Sequence, residues 1–338
     1  MHDSLHYKLT SGKPNKLLFF IAGLAKQLIP SAFYRRRLGY LLTAATRRND
    51  YDYLSRRRDY YCKRLTPFKI PETDCIQRSR SWLCYTGALH GYRRNTFHTA
   101  YYLDQREVTR YFPPSWRWQF CPGDVYFTPS SPTIVKSRLL AGDNANSVLL
   151  KLDKLRHFMF VKDPIPFTEK PHTLIFRGKI RQSRLRTAFM EKFGNHPDFD
   201  CGVVGRNEGC PEGWMKPKKT IHEHLDYKFI MAIEGNDVAS NLKWVMSSNS
   251  VAVMPRPTCE TWFMEGQLKG GEHYIEVRDD FADLEEKIAY YTAHPEEAET
   301  IVRNAHAWVS QFRDEKRERL IGLMVLDRYF ELSGQKNT

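Results

Sequence analysis

Apolar positions in the second half of the chain fall in short blocks rather than at helical spacing. Residues 227–233 (YKFIMAI) form one such block between polar flanks, and its length predicts a buried strand. Residues 234–237 (EGND) follow as a turn, where Gly235 and Asn236 tolerate unusual backbone angles. A short helix is predicted over 241–248, capped by Ser240 or Asp237. Residues 250–254 (SVAVM) form a second strand that Pro255 and Pro257 stop. Strand, polar turn, short helix and strand together make one βαβ unit of a parallel sheet.

The same texture continues on both sides. Upstream, residues 173–176 (TLIF) predict a strand with Arg177 and Gly178 in the loop behind it, and residues 183–193 an amphipathic helix. Downstream, helices are predicted over 281–293, 295–312 and 317–332, the last expected to return to the first domain. Earlier, residues 82–85, 99–103, 116–120, 125–127 and 147–150 are short β-like runs punctuated by Pro and Gly. A Pro-rich stretch at 161–166 (VKDPIP) has the character of a linker, which divides the chain into domains 1–168 and 169–338. The pattern is that of an α/β protein.

Residues 1–70 differ. An apolar run at 16–30 (KLLFFIAGLAKQLIP) is too short to cross a bilayer, and basic clusters at 35–37, 47–48 and 56–58 follow it. Two readings stand side by side. The segment is either a peripheral anchor for an anionic membrane surface or a pair of ordinary amphipathic helices packed on the domain. Asp50 and Asp52 form a D-x-D within an arginine-rich helical run, which is not the strand-end context of a metal site.

Composition sharpens the list of partners. A formal charge of +13 over 338 residues implies attraction to a polyanion or a phosphorylated substrate. Zinc-finger spacing, an RNA-binding signature and a helix-turn-helix context are all missing, so no nucleic-acid partner is expected. The 7 Cys residues show no CxxC pair, which predicts free or buried thiols in a reducing compartment. The first residues do not read as a secretory signal, and a cytoplasmic protein is expected. His222 and His224 lack the spacing of a helical zinc motif, so no metal and no cofactor is expected there.

In an open α/β sheet, ligands sit beyond the carboxyl ends of the strands. A helix start there offers backbone N–H groups to a phosphate, and Lys243 adds a full positive charge. Glu260 and Glu265 follow the second strand, where a carboxylate can hold the two hydroxyls of a ribose; both remain candidates. Phosphate at the turn and sugar at the acid describe a nucleotide-sugar site. Asp124 ends a predicted strand in a Cys-Pro-Gly-Asp turn, which places a carboxylate at a sheet's carboxyl edge.

These residues also carry a resemblance. Tyr227-Lys228, Gly235 through Ser240, Leu242-Lys243-Trp244, Gln267-Leu268-Lys269, His273-Tyr274-Ile275 and the upstream Phe176-Arg177-Gly178 resemble, in order and spacing, glycosyltransferase family 90. The phrases EGNDVASNLKWVMSSNSVAVMP and ETWFMEG are most similar to its bacterial lipopolysaccharide core transferases of the LpsA kind. One departure is Asn241, where many eukaryotic relatives carry Arg.

The resemblance implies a GT-B-type fold of two Rossmann-like domains facing across a cleft, with residues 1–168 on the acceptor side. It implies an inverting, metal-independent hexosyl transfer from a UDP sugar. The donor would be held by Arg177, Tyr227, Gly235, Asn236, Asp237, Ser240, Lys243 and Glu260 or Glu265. Asp124 is the positional match for the base, with Asp104 and Asp163 as substitutes. The acceptor implied is the lipopolysaccharide inner core, reached from the cytoplasmic face by a peripheral protein. Two alternatives are a transferase acting on protein and a non-enzymatic polyanion binder.

Overall fold

A computed structural model describes residues 15–79, 82–92, 99–180, 183–205 and 210–336. Helices α1 (Lys16–Ala25), α2 (Ser31–Thr46) and α3 (Tyr51–Tyr61) come first. Strands β1 (Cys75–Ser79) and β2 (Trp82–Ala88), helix α4 (Thr99–Thr109) and strand β3 (Arg117–Cys121) follow. Three short strands come next, β4 (Thr133–Val135), β5 (Ser137–Leu139) and β6 (Ser147–Leu149). The chain then forms β7 (His172–Gly178), α5 (Arg184–Phe193), β8 (Phe199–Val203), β9 (Tyr227–Met231), α6 (Leu242–Val245) and β10 (Val251–Met254). Strands β11 (Cys259–Thr261) and β12 (Ile275–Glu276) and helices α7 (Leu284–Ala293), α8 (Pro295–Ser310) and α9 (Glu315–Leu332) complete it.

These elements form two compact units. One comprises Arg156–Thr258 and Met264–Gln311, and the other Lys16–Leu155, Cys259–Phe263 and Phe312–Thr338. The chain crosses between them after Leu155, ahead of the Pro-rich stretch, and α9 belongs with the earlier residues.

In the first of these units every strand pairing is parallel, in the order β12-β10-β9-β7-β8. The short all-apolar blocks explain this, because a strand covered on both faces needs no polar alternation. Phe229, Ile230 and Met231 of β9 and Val251, Ala252 and Val253 of β10 are all buried. Phe176, Phe189, Phe193, Phe199 and Phe281 pack with them in one core. Taken in chain order the strands run second, first, third, fourth, fifth. The connection therefore reverses direction between β7 and β9, a topological switch point of the doubly wound kind.

The other unit is a mixed sheet, β1-β2-β3-β4-β6, rather than the wholly parallel sheet of a Rossmann-like domain. Strands β3, β4 and β6 are parallel, while β1, β2 and β3 pair antiparallel. A separate antiparallel pair, β5 with β11, brings Cys259–Thr261 into this unit. Helix α9 is held by buried Ile321, Leu323, Leu326 and Phe330, and the Tyr329 hydroxyl donates to the Pro132 carbonyl at 3.0 Å.

Several expectations are corrected here. Residues 99–103 open a helix, not a strand: Tyr101, Asp104, Gln105 and Val108 are buried at helical spacing, which outweighs the aromatic content that reads as β. Residues 125–127 form no strand. Cys84 and Cys121 are joined in a disulfide rather than left as thiols. The sheet register is the reason: Tyr85 faces Phe120, so Cys84 and Cys121 are the next cross-strand pair, although 37 residues separate them. Cys62, Cys75, Cys201, Cys210 and Cys259 stay outside the disulfide as thiols. Helix α6 is only 4 residues long, and neither Ser240 nor Asp237 caps it. Its N-cap is Asn241, whose side-chain amide instead donates to the Met231 carbonyl at 2.9 Å.

Candidate active site

The carboxyl edge of the parallel sheet is where this unit can receive a ligand. The loop after β9 carries Gly235, Asn236, Asp237 and Ser240. Asn236 is exposed, Gly235 and Ser240 half-buried, and Asp237 buried. This loop is held from β7's side of the switch point. Ser183 caps α5 by accepting from the Arg186 amide, and its hydroxyl donates to the Glu234 carbonyl at 3.0 Å.

One turn into α5, Arg186 spans the switch point itself. Its Nη2 donates to the Ile233 carbonyl at 2.8 Å and its Nη1 to the Lys179 carbonyl at 3.0 Å, so it bridges the loops behind β9 and β7. A Cβ on Gly235 would come within 3.1 Å of this guanidinium, so glycine is what lets the loop approach it closely. Burial works against the Arg186 charge, and Asp237 and Glu234 support it. Its hydrogen bonds end on neutral carbonyls, and the carboxylates that act on its charge are those of Asp237 and Glu234. Nothing in the local sequence singles out Arg186. The available signal was a Ser cap three residues before an Arg, just past a strand end.

The other basic candidates sit differently. Lys243 is fully buried in α6, and its ammonium donates to the Glu265 carboxylate, which is itself buried. Glu265 is therefore paired with Lys243 inside the fold. Arg177 turns back along the sheet onto Asp200, contacting both carboxylate oxygens at 2.7 and 2.8 Å. The Tyr227 hydroxyl donates to the same carboxylate at 2.7 Å. Burial alone would raise the Asp200 carboxyl, but Arg177, Tyr227 and Lys216 hold it well below the ordinary range. Tyr227 and Asp200 line a cavity with His172 and Phe199, at the strand starts and away from the carboxyl edge.

Glu260 lies in the other unit. It is enclosed, accepts from Arg138 Nε at 2.7 Å and from the Tyr60 hydroxyl, and so serves β5–β11 pairing. Asp124 lies in that unit too, behind β3 at the end where β3 and β4 run parallel. Its carboxylate accepts from Lys136 Nζ at 2.7 Å; the Asp124 side chain is 15% exposed and Lys136 1%. This carboxylate is mostly enclosed yet partly reachable, at 15% exposure. The substitutes are less accessible. Asp163 is bound to buried Lys170 at 2.9 Å, and Asp104 is buried against Lys154.

Among the described residues no group of three or more His, Cys, Asp and Glu is placed to hold a metal ion. His224 donates from Nδ1 to the Thr220 carbonyl at 2.7 Å, at the end of a one-turn helix (Ile221–His224) opened by a Thr220–Glu223 capping box. Asp50 is chelated by Arg48 at 2.7 and 2.8 Å.

Residues 151–332 match the model of glycosyl transferase family 90. The chain belongs to glycosyltransferase family 90. It is 44% identical over 235 residues to the O-glucosyltransferase LpsA of Dichelobacter nodosus, a match covering 69% of this chain and 73% of that protein. The family match takes in the whole parallel sheet, with Arg186 and the 234–240 loop inside it and Asp124 outside. A family 90 member is a glycosyltransferase.

Proposed function

We propose that this glycosyltransferase moves a hexose from a UDP sugar to the inner core of lipopolysaccharide, with inversion and without a metal. The observation that carries the reading is Arg186 at the switch point beside Gly235. A guanidinium bridging two strand-end loops is suited to two phosphates, where planar, paired hydrogen bonding matters. The name of the Dichelobacter relative supports glucose as the sugar.

In this reading the Asp124 carboxylate takes the proton from the acceptor hydroxyl. The oxygen attacks the anomeric carbon as the bond to the diphosphate breaks, and UDP departs with the electron pair. Arg186 and backbone amides of the 234–240 loop stabilise the charge that develops on the leaving phosphate. One displacement inverts the configuration. The GT-B arrangement belongs to the same proposal, as does a donor contact from the Lys243–Glu265 pair, whereas Arg177, Tyr227 and Glu260 are held on Asp200 and Arg138 and are left out of it.

The charge of +13 supports a phosphorylated acceptor and a peripheral position on the cytoplasmic face of the inner membrane. The test is a panel of nucleotide sugars with defined core oligosaccharides, in buffer with and without EDTA. UDP-glucose turnover that EDTA leaves unchanged supports the reading; turnover with no core acceptor, or only with a divalent metal, overturns it.

A further inference from the structure

Among the described residues, 8 of the 12 exposed large hydrophobic side chains fall between Leu17 and Tyr40. Leu17, Ile21, Leu24 and Leu28 recur at helical spacing and form one stripe, which runs along α1 and the turn after it. Leu28 is 85% exposed and Leu17 66%, values far from those of a helix packed on its own domain. Leu18 and Phe33 widen the stripe.

The opposite side of this segment is fastened down. Arg110, just past the end of α4, donates to the Lys26 carbonyl at 2.7 Å and stands 4.2 Å over the Tyr34 ring. Arg106 donates to the Ser31 hydroxyl at 3.0 Å. A Cβ on Gly23 would meet Leu103 at 2.8 Å, so the glycine lets α1 lie close on α4. The apolar stripe is thus held outward by the fold.

Charge decides what covers it. From Lys16 through Arg48 the chain carries Lys16, Lys26, Arg35, Arg36, Arg37, Arg47 and Arg48 and no carboxylate. Arg36 and Arg37 are exposed, and Arg37 lies 5.8 Å over the exposed Phe33 ring. A second copy would bring like charges together, whereas an anionic surface matches both the stripe and the arginines. Among the described residues no single helix is long and apolar enough to cross a membrane, and Lys16–Leu28 and Ser31–Thr46 meet at a 92° bend. The first of these spans roughly 20 Å, short of the ~30 Å hydrocarbon core.

We propose that α1 and the first turns of α2 lie in the headgroup layer of an anionic phospholipid bilayer, with the leucine stripe immersed and the arginines on lipid phosphates. This deepens the membrane-peripheral part of the proposed function, and it is measured without donor or acceptor, so either can fail alone.

The full chain is sedimented with phosphatidylglycerol–phosphatidylethanolamine vesicles and with phosphatidylcholine vesicles. Expected is binding to the anionic vesicles alone, weakened in about 0.5 M salt. L17E/I21E and R36Q/R37Q should each lower partitioning by about tenfold or more. Their thermal transitions should stay in place, since the side chains are exposed. As a readout independent of these variants, an L28W indole should shift to the blue on anionic vesicles and be quenched by brominated acyl chains. Equal binding to neutral vesicles, variants that bind like the parent, an unshifted indole, or self-association abolished by L17E/I21E would each overturn the proposal. Donor hydrolysis that persists in such a case leaves the transferase reading untouched.

Discussion

Lys243 and Glu265 form an ion pair with both side chains sealed from solvent, at 0% and 1% exposure. The partner comes from beyond Met264, whose left-handed backbone (φ 57°) turns the carboxylate back onto α6. Removing one member leaves the other charged and buried. Lys243→Ala is expected to destabilise by about 3–5 kcal/mol, and the Lys243→Met/Glu265→Leu double variant to recover most of that. Urea midpoints check it. If the double variant is as stable as the parent yet binds UDP no longer, Lys243 or Glu265 acts on the donor as well.

Arg186 should separate from Arg177 by what each loses. Arg186→Ala is expected to lower kcat/KM by about 10²–10³ while the thermal transition moves little, because its partners are strand-end carbonyls that water can serve. Arg177→Ala should do the reverse, exposing the Asp200 carboxylate to loss of its bidentate partner and lowering Tm. Steady-state kinetics with thermal melts of both variants decide the matter. Equal loss of activity in two well-folded proteins would count against Arg186 as the main phosphate contact.

Asp124→Asn is expected to lower kcat by about 10²–10⁴, with KM for the donor nearly unchanged, as loss of a general base should. Side-by-side kinetics of Asp163→Asn provide the contrast, since that residue is bound to Lys170 and its loss should register in stability. Activity near the parent's in Asp124→Asn would remove this residue from the mechanism.

Burial pushes the Asp104 carboxyl up to about 7, against the pull of Lys154. The folded protein therefore holds this proton more tightly than the unfolded chain does. Its contribution is complete below the ordinary 3.8 and is lost as pH rises to about 7. The full loss amounts to about 4 kcal/mol. Asp104→Asn should flatten that slope and raise stability at neutral pH, as urea titrations between about pH 5 and pH 8 will measure. A slope unchanged by the substitution would mean that Asp104 stays charged in the fold.

Much of the parallel sheet was legible because its strands are buried on both faces and so appear as unbroken apolar blocks at 173–176, 227–233 and 250–254. The EGND turn was legible for a similar reason, as local chemistry at an element's end. The strand misread at 99–103 shows the limit of this approach. Tyr101 and Val108 face one core across two helical turns, and a five-residue window is too short to contain that period.

What the sequence determined by itself is thus the βαβ blocks, the glycine-bearing loop behind β9 and the motifs that place the chain in its family. What only the tertiary structure decided is which charges remain available to a ligand. Lys243 and Arg177 read as the phosphate cations and Arg186 did not stand out, but the carboxylate partners of Lys243 and Arg177 lie 22 and 23 residues away, and Arg138 meets Glu260 across 122. Such pairings depend on strand register and chain reversal, which no local pattern encodes. A side chain's charge is written in the sequence; whether it is already neutralised depends on what the fold brings beside it.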